Sequence, residues 1–223
     1  MSTIPEPFWG WPEWKHLWFA TRVSLIGTLW FVVVYGGCDA ITAHRLSRIR
    51  IHLDSELNIP FIPETVLIYM SIYVLFFVAP FILRQRREFL TLAIALDVII
   101  LVGGIGFLLI PAQLGFASPT DLGAFPGLFH FADRLNLTYN LVPSLHVALS
   151  VACIATYAQR TGIIGKVLLW IWGVSISVST LFTHQHHLLD VVAGWTLALV
   201  VFRVLRERTE ETKRVGSHAA FAS

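Results

Sequence analysis

Three histidines and an aspartate lie close together at 183–190, where the sequence Thr-His-Gln-His-His-Leu-Leu-Asp leads into a long apolar run. Ionisable side chains at a membrane border are costly, so their presence indicates a function. His186 and Asp190 are four residues apart and share one face of a helix, where the carboxylate can bind an imidazole nitrogen and fix its tautomer. An imidazole held in this way can act as a nucleophile or as a general base.

A second polar segment, Pro-Ser-Leu-His at 143–146, also opens an apolar run. Helix N-termini carry unpaired N–H groups and the positive end of the helix dipole, which together bind anions. If the two starts lie at one membrane face, they predict a phosphate-handling centre. In it, His186 attacks phosphorus and a protonated His146 gives its proton to the leaving alkoxide. Ser144, the amides after it, and Arg134 then donate hydrogen bonds to the phosphoryl oxygens.

The composition is that of a polytopic membrane protein. Of the 223 residues, 56% are hydrophobic and 13% are charged, and the mean hydropathy is +0.69. Soluble domains are less apolar and more charged. We therefore expect an all-α fold with six transmembrane helices in one bundle. The six apolar runs lie at 18–34, 65–83, 89–110, 143–157, 163–182 and 187–205.

The basic residues predict the orientation of this bundle. With six spans, the two termini share one side with the loops that follow the second and the fourth span. That side carries eleven of the sixteen basic residues and is expected to face the cytoplasm. The histidines then face away from the cytoplasm, and we expect a plasma (inner) membrane location. The bilayer is thus the expected partner, and nothing in the charge pattern indicates nucleic-acid binding.

Three segments follow from this organisation. Residues 1–17 are expected to form an aromatic interfacial segment, residues 18–207 the six-helix domain, and residues 208–223 a basic cytoplasmic tail. Within the third apolar run, the Asp97 carboxyl group is expected to accept hydrogen bonds from neighbouring helices, with an ion pair to Arg22 as the alternative.

Two other functional classes are open on these residues. A metalloenzyme would find ligands among five side chains, but neighbouring histidines diverge by about 100° on a helix, and Pro-Ser-Leu-His stays unexplained. A transporter or proton relay would use the same intramembrane polar residues without turnover. The five candidate ligands are His146, His184, His186, His187 and Asp190.

On these motifs the chain resembles the type 2 phosphatidic acid phosphatase superfamily of lipid phosphatases and phosphotransferases. Its pattern contains Pro-Ser-Gly-His and, later, Ser-Arg, five residues, His, three residues and Asp. Here the first is Pro-Ser-Leu-His at 143–146, and the second is Ser-Thr at 179–180 followed by His186 and Asp190. The resemblance implies a metal-independent reaction without a cofactor, with a phosphohistidine at His186, Asp190 as its partner and His146 as the acid.

Two basic phosphate ligands of that family are absent. Its lysine-containing first motif is missing in the usual form, and Thr180 replaces the arginine of the last motif. We expect Arg134 to do part of the missing arginine's work. Tyr139 and Asn140 are candidate hydrogen-bond donors to the phosphate or headgroup, although Asn140 is equally a candidate helix cap. His184 is expected to position the loop or to hold a water, and Thr180 is counted with the phosphate ligands.

The leucine of Pro-Ser-Leu-His and the Thr-His-Gln-His lead-in resemble one branch of the family. It contains inositol phosphorylceramide synthase and, more distantly, sphingomyelin synthase, which move a phospho-headgroup between lipids. The sequence therefore predicts a lipid phosphate or lipid diphosphate phosphatase, with lipid phosphotransfer as the alternative. It identifies neither the lipid nor the oligomeric state.

Overall fold

Long apolar runs form helices because hydrocarbon offers no partners for free backbone N–H and C=O groups, and a helix pairs them internally. The computed structural model describes the backbone of residues 7–221 and the side chains of residues 7–208. Its nine α-helices in this part are α1 Trp14–Phe31, α2 Gly37–Ala43, α3 Val66–Met70, α4 Ile72–Ile82, α5 Arg86–Leu109, α6 Pro126–Leu135, α7 Leu145–Tyr157, α8 Ile163–Phe182 and α9 Leu188–Phe221.

Short irregular elements connect these helices. A π-helical turn, Val32–Gly36, joins α1 to α2 without a break in the helix. Single 3₁₀ turns occur at Asp54–Asn58, Pro63–Thr65 and Ala158–Arg160. Two-residue strands, β1 Ile49–Arg50 and β2 Ala112–Gln113, pair in parallel, with Ile49 opposite Ala112.

Five helical segments of the described chain are long and apolar enough to cross a membrane. The protein is therefore a multi-pass membrane protein. Four of these segments correspond to predicted spans, and the first is longer than expected because α1, the π-helical turn and α2 are continuous. The five segments are Trp14–Ala43, Pro63–Ile82, Arg86–Leu109, Ile163–Phe182 and Leu188–Arg208.

The helix at the predicted fourth span, α7, is too short to count as a candidate transmembrane helix. The structure therefore does not confirm six transmembrane helices. α7 has 13 residues, or roughly 20 Å of helix, which is short of the ~30 Å hydrocarbon thickness. Eleven of its 13 residues are buried, and it packs against α4, α5, α8 and α9. α7 is therefore the central helix of the bundle.

Small residues allow α7 to lie close to its neighbours. A Cβ on Gly103 of α5 would meet the side chain of Leu145, and one on Gly106 would meet Pro143. α5 and the start of α7 therefore approach closely at these glycines. On the other side of α7, a Cβ on Gly194 of α9 would lie 2.6 Å from the carbonyl oxygen of Ser144.

The expected terminal segments are only partly described. Residues 1–6 of the predicted aromatic segment and residues 222–223 of the predicted basic tail lie outside the described residues. Trp9 stacks on Phe81 at 4.9 Å between ring centroids, so part of the N-terminal segment packs against the end of α4. The backbone of residues 209–221 continues α9.

Candidate active site

The two polar segments meet at one end of the bundle, where α7 and α9 begin. The backbone N–H of Ser144 donates to the backbone carbonyl of Asp190 at 3.0 Å. Ser144 is the N-cap of α7, and its hydroxyl accepts from the N–H of Val147 at 3.3 Å. We call this the site end of the bundle, and the loops before α3, before α7 and before α9 all lie at it.

His186, in the loop two residues before α9, and Asp190, on the first turn of α9, form a buried pair. Nδ1 of His186 lies 3.2 Å from Oδ2 of Asp190, and Asp190 is fully buried. Because a carboxylate only accepts, Nδ1 carries the hydrogen and Nε2 keeps its lone pair. His186 therefore has the tautomer that a nucleophile at Nε2 requires.

His146 is bound through Nε2, whereas His186 is bound through Nδ1. Its Nε2 lies 2.7 Å from the carbonyl oxygen of Tyr69, and its ring stacks on the Tyr69 ring at 3.7 Å. The carbonyl only accepts, so Nε2 donates and Nδ1 is the nitrogen that can exchange a proton with a substrate. The Tyr69 hydroxyl in turn donates to Asn136, whose amide donates to Gln185 of the histidine loop.

Both histidines line one cavity of about 550 Å³ inside the bundle. Asn136 and Asn140 also line its site end, and apolar side chains of α1, α4, α5 and α7 line most of the rest. Asn140 is buried, and its Nδ2 donates to the carbonyl of Tyr35 at 2.6 Å, while its Oδ1 has no partner among residues 7–208. The histidines thus open onto an apolar space with a few polar groups at one end.

The remaining predicted phosphate ligands do not line this cavity. Arg134 is exposed on α6, one residue before Leu135, which does line it. The backbone N–H of Tyr139 donates to Asp39 at 2.9 Å, and Arg48 lies over the Tyr139 ring at 4.0 Å. Tyr139 therefore belongs to a contact of its own loop with α2 and with the loop that follows α2.

Thr180 and His184 shape the loop that carries the nucleophile. The hydroxyl of Thr180 donates to Ser177 at 2.7 Å, and its carbonyl accepts from the N–H groups of Gln185 and His186. His184 has a positive φ of 55°, bonds through Nε2 to the carbonyl of Ile59, and stacks on Phe116 at 3.9 Å. Both residues hold the loop between α8 and α9 in place.

A second histidine–carboxylate pair lies behind the first, and the sequence did not reveal it. Nδ1 of His187 lies 3.2 Å from Oε2 of Glu56, which also accepts from the N–H of Leu188 at 2.9 Å. Nε2 of His187 accepts from the N–H of Gly115 at 2.9 Å. His187 and Glu56 are both buried.

The charge states of this second pair follow from its surroundings. Burial alone raises the pKa of Glu56, but the N–H groups that it accepts and the neighbouring His187 outweigh burial, so the pKa lies below its usual value. Burial lowers the pKa of His187, against the raising effects of Asp190 and Glu56. At neutral pH the pair is therefore a neutral imidazole that donates to a carboxylate.

The start of α9 differs from the expected anion site. Its first free N–H groups belong to His187 and Leu188, and they donate to the carboxylates of Asp190 and Glu56. Both N–H groups are thus occupied by protein oxygens.

Among residues 7–208, no group of three or more His, Cys, Asp or Glu side chains has metal-binding geometry.

A comparison with protein families decides the class. The model of the PAP2 superfamily matches residues 60–204, which include both histidines and the cavity walls from α4, α5 and α7. The chain belongs to the PAP2 superfamily. Members of this superfamily are phosphoric ester hydrolases, so the chain is an enzyme of phosphatase or phosphotransferase chemistry. No curated protein and no solved structure matches the chain.

Proposed function

We propose that this PAP2 enzyme is a lipid phosphate or lipid diphosphate phosphatase that works through a phosphohistidine at His186. The observation that carries the proposal is that His146 and His186 line one apolar cavity among membrane-spanning helices. A lipid phosphate places its phosphorus between the histidines and its chain along the apolar wall. A water-soluble phosphate ester would leave that wall in contact with water, at a cost of roughly 25 cal/mol per Å².

The first step transfers the phosphoryl group to the protein. Nε2 of His186 attacks phosphorus, the P–N bond forms, and the bond from phosphorus to the lipid oxygen breaks. Burial lowers the pKa of His146, and the negative charge of the bound phosphate opposes this, so that in the proposed complex His146 carries a second proton on Nδ1. His146 gives that proton to the lipid oxygen, which leaves as the lipid alcohol. Asp190 stabilises the positive charge that develops on the His186 ring.

The second step returns the enzyme to its starting state. A water gives its proton to Nδ1 of His146 as its oxygen attacks phosphorus, and the P–N bond breaks with the electron pair returning to Nε2. Inorganic phosphate leaves. No metal ion or cofactor takes part in the proposed steps.

The phosphoryl oxygens need hydrogen-bond donors in both steps. The N–H groups at the start of α7 and the amide of Asn136 lie at the site end. Arg134, exposed two residues before Asn136, is proposed as the cation, in place of the arginine that Thr180 replaces. The positive-inside pattern supports a site that faces away from the cytoplasm, in the plasma (inner) membrane.

Transfer to a lipid hydroxyl is the second candidate. Leucine in Pro-Ser-Leu-His and the missing basic ligands favour the branch that resembles inositol phosphorylceramide synthase. In this variant, a lipid hydroxyl replaces water in the second step, and the phospho-headgroup moves from one lipid to another. The apolar cavity supports this variant as well, because it can admit the chain of an acceptor.

One experiment separates these possibilities. Purified protein in detergent with a chelator is incubated with lipid phosphates labelled at phosphorus, with and without lipid alcohols. We expect turnover that falls at least about 10³-fold in His186→Ala and in Asp190→Asn. His130→Ala, an exposed histidine on α6, is the matched control and should retain full activity.

The fate of the label identifies the reaction. Free phosphate indicates hydrolysis, and label on an added lipid alcohol indicates transfer. In a single turnover, we expect label on the protein that is stable to alkali and released by acid, as a P–N bond requires. Turnover that survives in His186→Ala, or that disappears with the chelator, would refute the mechanism.

A further inference from the structure

The cavity extends far beyond the histidines, between two parallel stripes of side chains. On α1, the lining residues occur at 23, 24, 27, 28, 31 and 32, and on α5 at 89, 92, 93, 96, 97 and 100. Both spacings are those of a single helix face. From Phe89 to Gly103, which lies beside Leu145, α5 rises roughly 21 Å. The cavity therefore extends most of the way across the hydrocarbon.

Three polar side chains interrupt these apolar stripes within about one helical turn of each other. They are Asp97 on α5 and Ser24 and Thr28 on α1. Asp97 is six residues from Gly103, which places it roughly 9 Å deeper in the bundle than the start of α7. A carboxyl group at this depth is costly and has to be explained by a partner.

The protein itself does not supply that partner. Among the hydrogen bonds and ion pairs of residues 7–208, none includes the carboxyl group of Asp97, so neither expected role, a packing hydrogen bond or an ion pair with Arg22, is present. The Trp30 indole donates to the backbone carbonyl of Asp97 at 3.1 Å, which ties α5 to α1 without using the side chain.

Gly27 of α1 lies directly beside the carboxyl group. A Cβ on Gly27 would lie 3.4 Å from Oδ1 of Asp97. The Thr28 hydroxyl donates to the carbonyl of Ser24 at 2.8 Å, so its oxygen remains free to accept. The cavity thus presents hydrogen-bond acceptors from both helices at the depth of Asp97.

We infer that Asp97, with Thr28, binds a hydrogen-bond donor on the lipid chain, a hydroxyl or an amide N–H, about 9 Å from the phosphorus. This subsite rests on the proposed function, because the phosphate at the histidines fixes the depth of the chain. It selects a lipid that is polar at one position along its chain over a purely hydrocarbon lipid. A carboxyl group accepts such a bond whether or not it is protonated.

Binding tests the inference without requiring turnover. The probes are two single-chain lipid phosphates that differ only in one hydroxyl, placed about 9 Å from the phosphorus. Their affinities are measured on His186→Ala protein in detergent. We expect the hydroxylated lipid to bind about tenfold more tightly, as one good hydrogen bond allows.

The variants then identify the partner. Adding Asp97→Leu should abolish the tenfold preference, and adding Asp97→Asn, which keeps an acceptor oxygen, should retain part of it. Thr28→Val should reduce it. Thr21→Val is the matched control, since Thr21 also donates to the carbonyl four residues earlier but lies off the cavity.

The outcomes separate the two proposals. Equal binding of the two lipids, or a preference that survives in Asp97→Leu, would overturn the subsite. Failure of the proposed function is seen in the turnover assay instead, as wild-type protein that turns over neither of the two lipid phosphates.

Discussion

Replacing Glu56 should destabilise the start of α9, next to the proposed nucleophile. Its carboxylate is 4% exposed and accepts three hydrogen bonds, from Nδ1 of His187 and from the N–H groups of Leu188 and Leu53. Each donor left unsatisfied in a buried position costs about 1–3 kcal/mol. Glu56→Ala removes both acceptor oxygens and leaves all three donors unpaired, so we expect a loss of roughly 4 kcal/mol, allowing for partial rescue by water.

Glu56→Gln is the more informative variant. The glutamine oxygen can face Leu188 and His187 while its NH₂ group faces the N–H of Leu53, so one hydrogen bond is lost. The opposite orientation loses two. We therefore expect a loss of about 2 kcal/mol, intermediate between wild type and Glu56→Ala. Leu188 and His187 lie next to His186, so turnover should fall with stability.

The assay compares thermal unfolding in detergent with turnover of a lipid phosphate. Glu64→Gln is the matched control, because Glu64 is an exposed acid of the same loop region and should tolerate the change. The expected order of stability is wild type, then Glu56→Gln, then Glu56→Ala. If Glu56→Ala unfolds at the wild-type temperature, the buried pair does not hold the start of α9 and the reasoning fails.

Two further predictions concern acid and packing. The folded pKa of His187 lies below 6.5, so on acidification the unfolded chain binds that proton first, and stability should fall as the pH drops below 6.5. Glu56, whose folded pKa is also lowered, adds a loss at still lower pH; unfolding temperatures that are flat across this range would contradict both. Gly194→Ala places a Cβ against Ser144 and should cost about 1–3 kcal/mol and lower turnover. Gly127→Ala, which meets nothing within 4 Å, is the control, and equal effects would refute the packing argument.

The sequence predicted those features that depend on local pattern. Hydropathy identified the long apolar helices. Polar segments at the beginning of two apolar runs identified the starts of α7 and α9, which are in contact through the Ser144 N–H and the Asp190 carbonyl. The four-residue spacing placed His186 against Asp190. These predictions succeed because they are local: apolar runs form helices whatever surrounds them, and a four-residue separation across a helix start keeps His186 in the loop within reach of Asp190 on the first turn.

Features that depend on distant partners were not predictable in this way. Glu56 and His187 are 131 residues apart, and no periodic pattern links a 3₁₀ turn in one loop to a helix start in another. Similarly, hydropathy cannot distinguish a helix surrounded by lipid from one surrounded by other helices, so α7 was predicted to be an ordinary span.

The two carboxylates at the start of α9 also determine where a phosphate can bind. Asp190 and Glu56 accept the N–H groups of His187 and Leu188, which leaves negative charge where a bare helix start would attract an anion. A phosphate would be repelled there. The start of α7 carries no carboxylate, since its cap is the hydroxyl of Ser144. In the proposed reaction the phosphoryl oxygens therefore bind on the α7 side, and the loop before α9 supplies the nucleophile. This division explains how one site can hold a negatively charged substrate beside a histidine that needs an acidic partner.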